Sequence, residues 1–292
     1  MTMNKKGKER ELGLTILVIL IILGAFAACV LGIWSTQGPG QYAYDTIRDQ
    51  TVTIHGKGVY QHMTYEVALQ GIGHDVVTLF LGIPALLVFF LRARKGSCRA
   101  RLLLAGILGY FHVQYLFYMI MGMYNILFLV YVLLAGCTFF ALLQVLFSVD
   151  TDNLKNRMTS VPKKFIGGFL MVNAAAIALL WLQIVLIPLF DGTLYPLELA
   201  HYTTLIVQGV DLGLLLPLAV VCGWLLIKER PLGYLAAPVY CIFLTLHMIA
   251  LIGKIVAMGL NGFSIIPVVF IMPMFAVLSG YCSVRALRSI SG

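Results

Sequence analysis

Residues 205–221 read LIVQGVDLGLLLPLAVV, an apolar run interrupted only by Gln208, Asp211, two glycines and Pro217. It lacks the alternation of a half-buried strand and the broad polar stripe of a soluble amphipathic helix. Extended to 203–227, it meets the requirement of about 20 apolar residues for a helix that crosses a bilayer. A carboxylate inside such a helix costs ~2.5–3.5 kcal/mol on insertion scales, so Asp211 calls for a partner or a purpose.

The rest of the chain has the same character. Of its 292 residues, 61% are hydrophobic and 11% charged, and the mean hydropathy is +0.96. A soluble domain of this size needs far more polar surface. The runs are continuous rather than alternating, which excludes a transmembrane β-barrel. Eight stretches reach spanning length, near 12–34, 74–91, 102–121, 124–148, 165–189, 203–227, 234–258 and 263–284. The expected fold is therefore all-α, a polytopic membrane protein of eight transmembrane helices forming one membrane domain over 1–292. The first stretch, MTMNKKGKERELGLTILVILIILGAFAACVLGIW, has the look of a signal peptide with a lipobox near Phe26–Cys29. Its apolar run continues to Trp34, and we read it as an uncleaved first span.

Charge placement predicts orientation. With the N-terminus in the cytoplasm, 17 of the 20 basic residues fall on the inner side: Lys5, Lys6, Lys8, Arg10, Arg92, Arg94, Lys95, Arg99, Arg101, Lys155, Arg157, Lys163, Lys164, Lys228, Arg230, Arg285 and Arg288. Only Arg48 and Lys57 lie outside, and Lys254 is within a span. This bias predicts a multi-pass protein of the cytoplasmic (inner) membrane with both termini cytoplasmic. The net charge of +8 is then a topology signal beside anionic lipid, not a nucleic-acid footprint. The six cysteines show no CxxC or zinc-type spacing, so neither disulfides nor a cysteine metal site is expected.

Two outer segments have content. Within 35–73, TVTIHGKGVYQHMTYEV alternates β-branched residues around Gly56-Lys57-Gly58 and predicts a short hairpin, either a cap or a mere connection. FDGTLYPLELAHYT, from Phe190 to Thr203, suits a short interfacial helix.

Laying Asp75 over Asp211 exposes a pattern. Arg92 and Lys228 both follow seventeen residues later, and Asn125 and Asn261 both follow fifty later. His112 and His247 fall within one residue of each other in this register, and Pro84 and Pro217 correspond with a small offset. The reading is two parallel four-helix repeats, 1–148 and 165–292, joined by a cytoplasmic linker at 149–164, with chance spacing as the alternative.

The polar residues inside the spans concentrate toward the outer leaflet. Asp211 and Lys254 stand at compatible depths for an ion pair; Gln208 lies nearly a turn before Asp211, and His247 two turns before Lys254. His112, Gln114 and Asp75 lie in the same half, although Asp75 also suits a helix N-cap. These seven residues are the expected ligand-binding set, lining an outward-facing polar cavity. The bland alternative is a structural Asp211–Lys254 pair. His112 with His247 also has the look of an axial haem pair, and Met119, Met121 and Met123 of soft copper ligands. Alternate methionines, however, point to different helix faces. No catalytic or nucleotide-binding motif is present, and the cofactor is left unassigned.

The phrases DVVTLFLGIPALLV (75–88), MYNILFLVYVLLAG (123–136), DLGLLLPLAVV (211–221) and KERPLGYLAAPV (228–239) resemble an uncharacterised group of bacterial polytopic inner-membrane proteins. That resemblance implies a prokaryotic cytoplasmic membrane and no activity. The sequence thus favours a non-enzymatic protein that binds or transports a small polar or amphipathic ligand, or a lipid, from the outer side. The alternatives are a membrane-embedded redox or haem/quinone protein and a structural or partner subunit of a membrane complex.

Overall fold

The computed structural model describes residues 5–291, with side chains from residue 9 onward. Lys5, Lys6 and Lys8, counted above as inner charges, therefore have no described side chains. Among the described residues there are nine helices. Eight are long and apolar enough to span a membrane: α1 (Lys5–Trp34), α2 (Tyr65–Arg94), α3 (Cys98–Ile120), α4 (Phe128–Leu146), α6 (Lys163–Asp191), α7 (Ile206–Ile227), α8 (Pro231–Leu260) and α9 (Val268–Arg288). The ninth, α5 (Thr151–Arg157), falls in the stretch read from sequence as a linker. It forms because Asp150 accepts from the backbone N–H groups of Asp152 and Asn153 at 3.1 and 3.0 Å.

α8 is the hub. It packs on α2, α3, α5, α7 and α9, while α1 packs on α2 and α4, α3 on α2 and α4, and α6 on α7. Glycines set the closest crossings. A Cβ on Gly253 of α8 would stand 2.8 Å from the carbonyl oxygen of Gly73 on α2. One on Gly223 of α7 would stand 2.6 Å from that of Gly167 on α6. In lipid, close backbone approach replaces the hydrophobic effect as the source of helix association. Gly73→Val should accordingly lower stability by about 1–3 kcal/mol through overpacking, whereas Gly168→Ala, whose Cβ meets nothing within 4 Å, should be nearly silent. Thermal unfolding of the two variants in detergent checks this.

At one end of the bundle β1 (Tyr42–Asp45) pairs antiparallel with β2 (Thr51–Ile54), Tyr42 opposite Ile54. The hairpin therefore turns at residues 46–50, not at Gly56-Lys57-Gly58 as the alternation suggested. The reason is that the Gly-Lys-Gly segment pairs backward. Gly40 N–H donates to Gly56 O at 3.0 Å and Gly58 N–H to Gln37 O at 2.7 Å, with Gly56 and Gly58 at φ +69 and +59. The second segment contributes a single 3-10 turn, Leu197–Leu199, rather than a longer helix. It is tied to the first: Arg48 donates to Ala200 O (3.1 Å), Gln50 to Leu197 O (3.2 Å), His201 to His62 O (2.9 Å), and the Thr64 N–H to Tyr202 OH (3.3 Å). The two segments form one cap, and this end is called the cap end below.

α2 begins nine residues before the expected span, at Tyr65. Thr64 Oγ1 accepts from Val67 N–H and Glu66 sits in the first turn. Asp75 is consequently deep inside the helix, and its reading as an N-cap is corrected.

α2 and α7 share a local device. Each contains one wide, π-helical turn, Thr78–Gly82 and Asp211–Leu215, followed at once by Ile83-Pro84 and Leu216-Pro217. Proline lacks an N–H and crowds the carbonyl four residues back, and a wide turn upstream absorbs both effects. These features place Thr78 opposite Asp211, Lys95 opposite Lys228 (both helix-ending residues) and the start of α3 opposite the start of α8. In that register Asp75 is matched by Gln208 and Gln114 by His247. The aspartates used above to align the halves miss each other by almost a helical turn.

Candidate functional site

A cavity of about 470 Å³ runs from the cap end into the middle of the bundle, walled by α2, α3, α6, α7, α8 and α9. Its lining is mostly apolar, with His74, Gln114, Asn173, Trp181, Asp211, His247 and Lys254 as its principal polar groups. Tyr60 and Met63 of the cap close the upper part.

Backbone geometry explains why these residues converge. The Gly73–Gly253 crossing brings α2 and α8 into contact, and the residues immediately following, His74 and Lys254, both face the cavity. The His74 ring lies 6.4 Å from that of His247 and stacks on Tyr110 at 5.6 Å. His247 in turn stacks on Phe243 at 5.5 Å. Thr78, at the start of the wide turn in α2, has its Oγ1 at 2.7 Å from Tyr110 OH, 2.9 Å from Gln114 Oε1 and 3.0 Å from His74 O. Its one proton serves a carbonyl, so Tyr110 is the donor to Thr78. Asp211, at the start of the other wide turn, accepts from Trp181 Nε1 at 2.7 Å.

Several buried polar atoms on this wall have no partner: both ring nitrogens of His74, Gln114 Nε2 and Asn173 Oδ1. Each is expensive to leave unmade in a low-dielectric interior. Lys254 is not in an ion pair either. Among the described residues the only pair within 4.0 Å is Lys163–Glu229, at 2.6 Å and at the opposite end of the bundle. The expected direct Asp211–Lys254 pair is thus not formed: Asp211 takes Trp181 as its partner, and Lys254 lines the same cavity with no carboxylate oxygen within 4.0 Å. A sequence shows which helix faces are polar but not how far apart two helices stand.

Asp75 is fully buried and off the cavity wall. It accepts from Tyr60 OH at 2.5 Å and Tyr118 OH at 3.0 Å, and both tyrosines line the cavity in front of it. Gly32 of α1 makes the space: a Cβ there would collide with Asp75 Oδ2. Burial first, and the neighbouring Asp75 second, hold the Tyr60 hydroxyl well above the usual tyrosine range, so it remains a donor. In the cap, burial and then Lys57 hold His55 below the usual histidine range.

The seven expected residues therefore divide. Asp211, Lys254, His247 and Gln114 line the cavity; Asp75 stands behind its tyrosine wall. Gln208 is buried one turn from Asp211 but outside the lining. His112 faces α4, with Nδ1 at 3.2 Å from Ala135 O and 3.3 Å from Thr138 Oγ1. The histidine that approaches His247 is His74, so His112 and His247 do not form a facing pair. Among the described residues, no three His, Cys, Asp or Glu side chains gather as metal ligands do. Sequence reasoning passed over Asn173, Trp181 and Tyr60. Asn173 carried a signal, as an amide in mid-span. The partnership of Trp181 with Asp211 carried none.

The cavity is unsymmetrical. In the first half α1 closes against α4, with Gly24 so near Leu134 that a Cβ would stand 3.0 Å from it. In the second half of the chain α6 and α9 touch at Phe165 and Tyr281, ring centroids 5.7 Å apart, and are not among the closely packed helix pairs. These are the least buried spans, 17% each. Between them lie Ala176 and Leu180 of α6 and Ile271 of α9, which are exposed and line the cavity.

No family model, curated protein or solved structure matches the chain.

Proposed function

We propose that this membrane protein binds a small polar or amphipathic ligand in the intramembrane cavity, as a carrier or a sensor. The observation that supports the reading is the convergence of unpartnered polar groups, His74, Gln114, Asn173 and Lys254, on a space of about 470 Å³. Pockets that take small molecules combine this size with an apolar lining and a few convergent polar groups. In this proposal the cap faces outward and both termini are cytoplasmic, as the distribution of basic residues favours. The general likeness to bacterial polytopic proteins favours the cytoplasmic membrane.

Single cysteines test access and orientation together. In intact cells Lys57→Cys and Ala176→Cys should react with a membrane-impermeant maleimide. Leu179→Cys, exposed on the lipid side and absent from the cavity lining, should not, and neither should the native Cys98. Reaction at Cys98 overturns the orientation. Labelling at position 57 with none at 176 overturns an outward-accessible cavity.

A further inference from the structure

We infer that the ligand is a single-chain lipid whose head carries no net charge, and that it reaches the cavity sideways from the bilayer through the cleft between α6 and α9. This deepens the proposed ligand-binding function and rests on it. The route follows from the packing. α6 and α9 touch at Phe165–Tyr281 but are not among the closely packed helix pairs, and Ala176 and Leu180 of α6 and Ile271 of α9 are exposed and line the cavity between them. A hydrocarbon chain lying in the cleft meets only apolar groups at its rim, and α1 on α4 denies the same path in the first half.

The head follows from the chemistry at the inner end. The wall offers one lysine, Lys254, and one carboxyl, Asp211, whose Oδ2 is held by Trp181, beside the imidazoles of His74 and His247. The second acid, Asp75, is occupied by Tyr60 and Tyr118. Around them stand an unmet donor, Gln114 Nε2, an unmet acceptor, Asn173 Oδ1, and the two open nitrogens of His74. Such a wall satisfies a head that both donates and accepts, either polyhydroxylated or zwitterionic. A lone anion or cation leaves one of the two wall charges facing its own sign. The buried, unpartnered Asn173 carbonyl lies on α6, one turn from Ala176 in the cavity lining.

The test uses the full chain in phosphatidylcholine nanodiscs, with Cys98→Ser and the pair Ala176→Cys/Ile271→Cys, which a bis-maleimide can clamp. Four diazirine probes of equal chain length are compared: a monoacylglycerol, a lysophosphatidylcholine, a fatty acid and an alkyltrimethylammonium. Free glycerol is the water-soluble competitor, and cross-linked residues are read by mass spectrometry. The monoacylglycerol or the lysophosphatidylcholine should label Asn173, Trp181 or His247, and clamping should cut that labelling about tenfold, as when the access path itself is held shut. Labelling that ignores the clamp, or is confined to the two charged probes, or is displaced by free glycerol, overturns the lateral lipid route while leaving a ligand-binding cavity standing. Absence of cavity labelling by every probe, clamped or not, overturns both.

Discussion

Asp75→Leu should destabilise the protein by about 3–5 kcal/mol, the cost of breaking a buried hydrogen-bonded charge site from one side. The carboxyl is fully buried and receives the hydroxyls of Tyr60 and Tyr118, one from the cap and one from α3. Leucine leaves both phenols without an acceptor in a region that water reaches poorly. It also loosens the cap, because Tyr60 stands at the joint between cap and helices. The triple variant Asp75→Leu/Tyr60→Phe/Tyr118→Phe removes the orphaned donors and should recover much of the loss, since apolar replacement of a whole buried polar group is often near neutral. Gly32→Leu attacks the same cluster from α1, where even a Cβ collides with Asp75 Oδ2. Thermal unfolding in detergent measures all three. A single Asp75→Leu variant as stable as the parent removes the cluster from the account of how cap and bundle are joined.

The second large effect is on binding. Lys254→Met should weaken retention of the monoacylglycerol or lysophosphatidylcholine probe at least 30-fold, corresponding to the ~2–5 kcal/mol typical for removing one member of a buried charged contact. Its effect on folding should be small, because Lys254 has no acidic partner within 4.0 Å in the unliganded protein. Asp211→Asn keeps a carbonyl acceptor for Trp181 Nε1 and should also fold well. For the same reason the double variant Asp211→Asn/Lys254→Met should show no mutual rescue in stability. A direct ion pair predicts the opposite: two unstable single variants and a stable double one. Thermal melts and probe retention measured on the same four proteins separate these outcomes, and full rescue in the double variant sinks the assignment of Lys254 to the ligand.

What was legible in the sequence is what a bilayer demands residue by residue. An apolar run must be helical and about 20 residues long, because unpaired backbone groups are intolerable in hydrocarbon. Hence the eight spans and the conspicuous positions of Asp211, Lys254, Gln114 and His247 needed no coordinates. Hydropathy loses its hold at the membrane surface, and that is where the reading slipped. α2 runs out to Tyr65 into the cap, the hairpin turns at residues 46–50, and α5 hides in a polar linker. Prolines 84 and 217 were visible, but the wide turns beside them were not, and matching those turns gives a register almost a turn away from the one the aspartates implied.

Tertiary structure decided the partners. Helix periodicity says that Asp211 and Lys254 each occupy one face of a helix, but the separation of α7 from α8 depends on which side chains interleave along the whole crossing. Trp181, from a third helix, takes the place a lysine was expected to fill. His112 turns to α4, while His74, next to the close approach of Gly73 to Gly253, turns to His247. The sequence alone determined that polar groups had to be sheltered inside a membrane-grade helix bundle. Which of them found each other, and which were left lining the cavity without a partner, follows from interhelical distances that no single helix encodes.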